Sequence, residues 1–232
     1  MINLVATRQK AGQPAELLRW YNDHVNLLMG FEDLTAATLY RCTSVDQTAA
    51  PEYVCLYDFP GHDAFAAFEA SQAKERARQV TETGWGKLGI EIIQRTQYNT
   101  GGKWTGRKLA STPGSSGSSF YIQCLNMTPS AAMPPRETDD LNRWMADSLY
   151  VAATQANVDR YEWYVSGGQN SAGQPDTAQV IVVASSGSAS AKFDGSWSAW
   201  WSKPANGQLG QAPQQIQVAW QAGYERVSAW QR

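Results

Sequence analysis

The heptapeptide Arg19-Trp20-Tyr21-Asn22-Asp23-His24-Val25 returns in weaker form 124 positions later as Arg143-Trp144-Met145-Ala146-Asp147-Ser148-Leu149, with Arg, Trp and Asp in register. An internal repeat at this spacing constrains the chain to two related modules of roughly a hundred residues each, a common domain size. The copies differ where chemistry would sit: Ser148 and Met145 stand in place of His24 and Tyr21. Any work done by the histidine therefore belongs to the first half alone.

The first half reads as β-α-β-β-α-β. Ile2, Leu4 and Ala6 alternate over a first strand, and Gly12 and Pro14 turn the chain into a helix. Leu17, Trp20, Tyr21, Leu27 and Leu28 then recur at spacings of three and four, on a face that also carries His24, and Gly30 offers a left-handed stop. Residues 37–43 are β-prone, and Tyr53, Cys55, Tyr57 and Phe59 alternate over a strand whose two faces can both be buried. Gly61-His62-Asp63 opens a second helix, in which Lys74, Glu75, Arg76 and Arg78 read as a solvated face. Ile90, Ile92 and Ile93 start a fourth strand that runs to about Tyr98.

Residues 101–119, ending in Pro113-Gly114-Ser115-Ser116-Gly117-Ser118-Ser119, carry too little apolar surface to order themselves and read as a linker. The divisions expected are thus a module over 1–100, the linker over 101–119 and a diverged module over 120–232. In the second module the pattern predicts a strand over 120–126, a helix over 138–153, strands near 160–165 and 179–184 and a polar insert over 166–177. A tryptophan-rich helical piece around Phe193, Trp197, Trp200 and Trp201 follows, then one or two strands over 216–230. The fold class expected is α+β: two ferredoxin-like modules whose antiparallel sheets pack face to face into one pseudo-symmetric barrel. A sheet with both helices on one face needs cover on the other.

Trp20, Asp23-His24, Leu27-Leu28 and Gly30-Phe31 together resemble the EthD-like branch of the dimeric α+β barrel superfamily. The resemblance covers both halves in layout and about residues 1–100 in motif. It implies that a tandem chain builds the barrel internally, leaving open a homodimer of the duplicated chain. It also implies cofactor-free chemistry on small aromatic or polyketide-like molecules, including monooxygenation, decarboxylation, dehydration, cyclisation and lactone isomerisation.

His24 is the strongest catalytic candidate, because an imidazole takes and returns a proton near neutral pH and its helix face is aromatic. Packing in the core with one hydrogen bond is the competing reading. Tyr40 and Arg41 are neighbours on a strand and face opposite ways, so one of them enters a cleft: Arg41 to hold a carboxylate, or Tyr40 to donate to a phenolate or carbonyl. Trp20, Tyr21, Tyr53, Tyr57 and Trp85 are expected to line a flat apolar pocket for an aromatic ring. The function expected is a cofactor-independent lyase, decarboxylating or dehydrating a hydrophobic aromatic acid or phenol. A cofactor-free monooxygenase and a non-catalytic binding or stress-related barrel are the alternatives.

Composition removes other classes. A formal net charge of -2 without a basic run gives no field for a nucleic acid partner. No metal constellation, phosphate loop, nucleotide fingerprint or serine-hydrolase elbow appears, so no cofactor is expected. Neither a signal segment nor an apolar stretch of about 18 residues occurs, and the three cysteines have no metal or redox spacing. A cytoplasmic protein with reduced cysteines and no membrane partner is the expectation.

Overall fold

The computed structural model describes residues 1–43, 50–105, 119–129, 143–150, 158–169, 175–186 and 214–232. The predicted tryptophan-rich piece and residues 106–118 of the predicted linker lie outside them. The described chain divides into two compact units, the first built from 1–42, 51–98 and 226–232, the second from 43–50 and 99–225. Among the described residues no helix is long and apolar enough to cross a membrane.

The first unit holds β1 (Ile2–Gln9), α1 (Pro14–Leu28), β2 (Ala36–Cys42), β3 (Tyr53–Asp58), α2 (His62–Glu69), α3 (Gln72–Leu88) and the start of β4 (Ile90–Thr105). β1 is central, antiparallel to β3 on one side and β4 on the other, and β2 pairs with β3. Register sets the faces. Asn3, Val5 and Thr7 lie opposite Tyr57, Cys55 and Tyr53, so these six share one face, and Leu39 and Arg41 of β2 share it too.

The three helices cover that face. Leu17, Tyr21, Val25 and Leu28, at the spacings that favour an amphipathic helix, form one buried cluster with Leu39, Tyr53, Cys55, Tyr57, Phe65, Phe68 and Ala77. Pro14 opens α1 as anticipated, and the Gln13 N–H donates to the Glu16 carboxylate at 3.2 Å. Gly30 departs from its expected left-handed stop, since only Gly12 and Gly89 among the described glycines have positive φ. The second predicted helix is two, α2 and α3, separated between Glu69 and Gln72.

The second unit holds the rest of β4, β5 (Ser119–Pro129), a helix α4 described over 143–150, β6 (Arg160–Gln169), β7 (Pro175–Ser186) and most of β8 (Gln214–Gln231). β5 lies between β7 and β8, and β6 lies between β7 and β4. Its core gathers Met145 and Leu149 of α4 with Tyr121, Leu125, Tyr161, Trp163 and Val180.

The strands hydrogen-bond in the closed order β1-β3-β2-β8-β5-β7-β6-β4. This overturns the expected fold class: the chain forms one closed eight-stranded antiparallel barrel, not two ferredoxin-like modules with separate sheets stacked face to face. The physical reason lies in β4, which runs on from the expected end near Tyr98 to Thr105, and in β8, which spans 214–231 as one continuous strand; together they supply the pairing partners that close the sheet. The linker boundary moves with them. Residues 101–105 are strand, with 102–105 paired to β6, and Gly101 and Gly102 are there for close approach rather than flexibility. A Cβ on either would overlap the Trp163 indole that lies against them.

Candidate functional site

Within the first unit a cavity of about 230 Å³ opens between the helices and the covered face of the sheet. β1 lines it with Asn3, Val5 and Thr7, and α1 with Trp20, Tyr21, His24 and Leu28. Tyr57, Phe68, Ile90 and Ile92 extend the apolar wall, while Lys74, Arg78, Thr81 and Arg95 bring polar and charged groups. Among the described residues, the charged groups in the lining are all cationic.

The histidine is held on two sides. Its ring stacks on Trp20, centroids 4.7 Å apart and planes 17° from parallel, as side chains four apart on a helix can. On the other side Nδ1 lies 3.1 Å from the Thr81 hydroxyl. That hydroxyl donates its single proton to the Ala77 carbonyl at 2.8 Å, and so meets Nδ1 as an acceptor. The imidazole is therefore protonated at Nδ1, and Nε2 carries the lone pair. Burial, and then the nearby Lys74 charge, pull its pKa from the ordinary 6.5 to about 4. At neutral pH His24 is a neutral imidazole of fixed tautomer.

Two of the cations share one counter-ion. Arg95 donates to Glu69 Oε1 at 2.7 Å and Lys74 reaches the same oxygen at 3.1 Å. Burial and the Arg95 charge lower the pKa of Lys74, which also lies 5.2 Å above the Phe68 ring. Arg78 is bound by Glu75 and Glu82 along its own helix. Deeper in, the Tyr21 and Thr7 hydroxyls meet at 2.7 Å. Burial raises both the Tyr21 and Tyr57 phenols, so each is a neutral hydrogen-bonding group.

Of the residues singled out from sequence, His24, Trp20, Tyr21 and Tyr57 come together in this cavity. Tyr53 is fully buried beside Tyr21, ring centroids 6.1 Å apart, but does not line it. Arg41 shares the cavity's sheet face at the far end of β2, opposite Tyr53, and does not line the cavity. Tyr40 points to the other face, opposite Val54. The Trp85 side chain lies outside the described residues.

Lys74, Arg78, Thr81 and Arg95 were not anticipated. The first three stand on α3 at spacings of four and three, a stripe that reads equally well as solvated. Arg95 was hidden by a bulge. Thr7 pairs with Ile92 but Ala6 pairs with Gln94, so Ile93 is an extra residue, and Arg95 joins Ile92 on the cavity face against the parity of the sequence. Among the described residues no group of three or more His, Cys, Asp or Glu side chains is placed to hold a metal ion.

No known family pattern and no curated protein matches the chain. Solved structures share its fold over nearly its whole length. An anthrone oxidase-like protein superposes with a TM-score of 0.57 at 10% identity, covering 99% of this chain and 92% of the other. A candidate monooxygenase from Lactobacillus acidophilus NCFM gives 0.53 at 6% identity, covering 99% and 95%. A candidate chlorite dismutase gives 0.53 at 13%, covering 98% and 94%. At such identities the likeness is one of fold alone. It gives the expected lyase no support and does not single out the EthD-like branch.

Proposed function

We propose that the chain is a cofactor-independent monooxygenase of the EthD-like kind, acting on a phenolic or polyketide-like aromatic with an acidic C–H. The observation that carries this reading is His24, a neutral imidazole bound through Nδ1 to Thr81, in a cavity walled by aromatic and aliphatic side chains. The fold neighbours named monooxygenase and anthrone oxidase-like support it over the lyase.

His24 Nε2 takes a proton from the activated carbon, leaving a carbanion delocalised into the ring system and its carbonyl oxygen. Asn3, on the cavity face of β1, supplies an amide donor to that oxygen, and the new imidazolium balances the charge. Dioxygen is the oxidant. It accepts one electron from the carbanion, the resulting radical and superoxide join to form a C–O bond, and the peroxide takes the proton back from His24. Loss of water from the hydroperoxide, by cleavage of the O–O bond and removal of the remaining C–H proton, leaves a ketone. One CH₂ and one O₂ become one C=O and one H₂O.

Oxygen-electrode and mass-spectrometric assays with two-ring substrates of the tetralone and naphthol type test this. One O₂ should be consumed per product, one labelled oxygen should enter the product from ¹⁸O₂, and His24→Gln should lose at least about a hundredfold in kcat/KM. Turnover that continues under nitrogen, or survives His24→Gln, overturns it.

A further inference from the structure

We propose that the cavity recognises a monoanion, an aromatic acid of one or two rings whose carboxylate is held between Lys74 and Arg95 while its ring lies against Trp20, Phe68 and Ile92. This deepens the oxygenase reading and rests on it only for the fate of the bound molecule.

Three observations converge on the anion. Lys74 and Arg95 both line the cavity, yet they share one carboxylate, and on one oxygen of it. These two positive charges meet one negative one, while Arg78 holds two carboxylates, Glu75 and Glu82, so the six groups balance and the positive excess is local to the Lys74–Arg95 end of the wall. Glu69 does not line the cavity, nor do Glu75 and Glu82, the partners of Arg78, so an entering ligand meets cations without their counter-ions. The Lys74 side chain is 26% exposed and that of Arg95 41%, so solvent screens part of their charge until a ligand's ring covers them. A guanidinium and an ammonium side by side offer a carboxylate both a planar fork and a point charge.

Size and shape supply the ring. About 230 Å³ lies below the roughly 300 Å³ at which pockets for larger ligands begin, which suits one or two fused rings. Trp20 is stacked on His24 and presents a flat wall. Ile92, 43% exposed, is an apolar side chain at the wall that an entering ring would cover. Lys74 is close enough to His24 for its charge to disfavour the imidazolium, which puts a carboxylate at Lys74 within electrostatic reach of the base.

Calorimetric titration with 2-naphthoate, its neutral isostere 2-naphthamide and the dianion 2-naphthyl phosphate tests the proposal without turnover. The wild type should bind naphthoate at least about tenfold more tightly than either of the others, a difference of about 1.4 kcal/mol. Lys74→Met should remove that preference while leaving naphthamide affinity unchanged, and Glu69→Gln should strengthen naphthoate binding. Arg95→Lys, which keeps the charge and loses the fork, should fall between wild type and Lys74→Met. Equal affinity for acid and amide, a preference that survives Lys74→Met, or no naphthoate binding at millimolar concentration overturns it. His24→Gln separates the two readings. Charge-selective binding without oxygen uptake by any variant defeats the oxygenase and keeps the anion site, whereas oxygen uptake with charge-blind binding does the reverse.

Discussion

His24 ties the stability of the protein to pH through the difference between its two states. Folded, it protonates near 4; unfolded, near its ordinary 6.5. Above 6.5 neither state holds the proton and nothing is lost. As pH falls below 6.5 the unfolded chain binds a proton that the folded one does not, and stability drops until about pH 4, by about 3 kcal/mol in total. Denaturant midpoints measured from pH 7 to pH 4.5 should decline in the wild type, with a visibly shallower slope in His24→Gln. The same pKa sets the activity profile, whose acid limb should lie near pH 4 rather than 6.5. Thr81→Val removes the hydroxyl that fixes the tautomer and should lower kcat/KM about tenfold, with Thr81→Ser restoring most of it. Trp20, Tyr21 and His24 were legible at this scale because a helix of known period places them together whatever surrounds it. Arg95 was not, because its facing depends on a bulge formed against another strand.

At the scale of elements, β4 carries the features that a reading of local composition misses. Gly101 and Gly102 look like the start of a flexible linker, yet Gly102 pairs with β6, Gly101 is the extra residue of a second bulge, and both lie under the Trp163 indole. Gly102→Ala should therefore destabilise by about 1–3 kcal/mol through overpacking. In a Trp163→Leu background the same change should cost far less, and a double-mutant cycle of melting temperatures would read the coupling. α3 shows the converse. Its stripe of Lys74, Arg78 and Thr81 was visible, but a helix face rich in cations looks alike whether it meets water or the wall of a cavity.

The whole molecule joins sequence-distant segments within one unit. Residues 226–232 belong with 1–42 and 51–98: Val227 and Trp230 pack on the cluster that supports α1, and the Arg232 N–H donates to the Thr35 carbonyl at 3.2 Å. Trp230→Ala should cost about 2 kcal/mol, less than a fully buried tryptophan because the side chain is half-exposed, and should weaken naphthoate binding if the cluster loosens. Equilibrium unfolding followed by calorimetry would measure both.

The sequence by itself determined the repeat, the helix that carries His24 and the alternation of β1 and β3, because periods of 3.6 and 2 are imposed by the backbone within a few residues. It also marked the aromatic surroundings of the histidine. Only the tertiary structure decided that the strands close into one barrel, that Lys74 and Arg95 rather than Arg41 line the cavity with the histidine, and that the final strand returns to the first unit. Register, bulges and edge pairing arise between segments far apart in the chain, where a shift of one residue exchanges the two faces of a strand and leaves the composition unchanged.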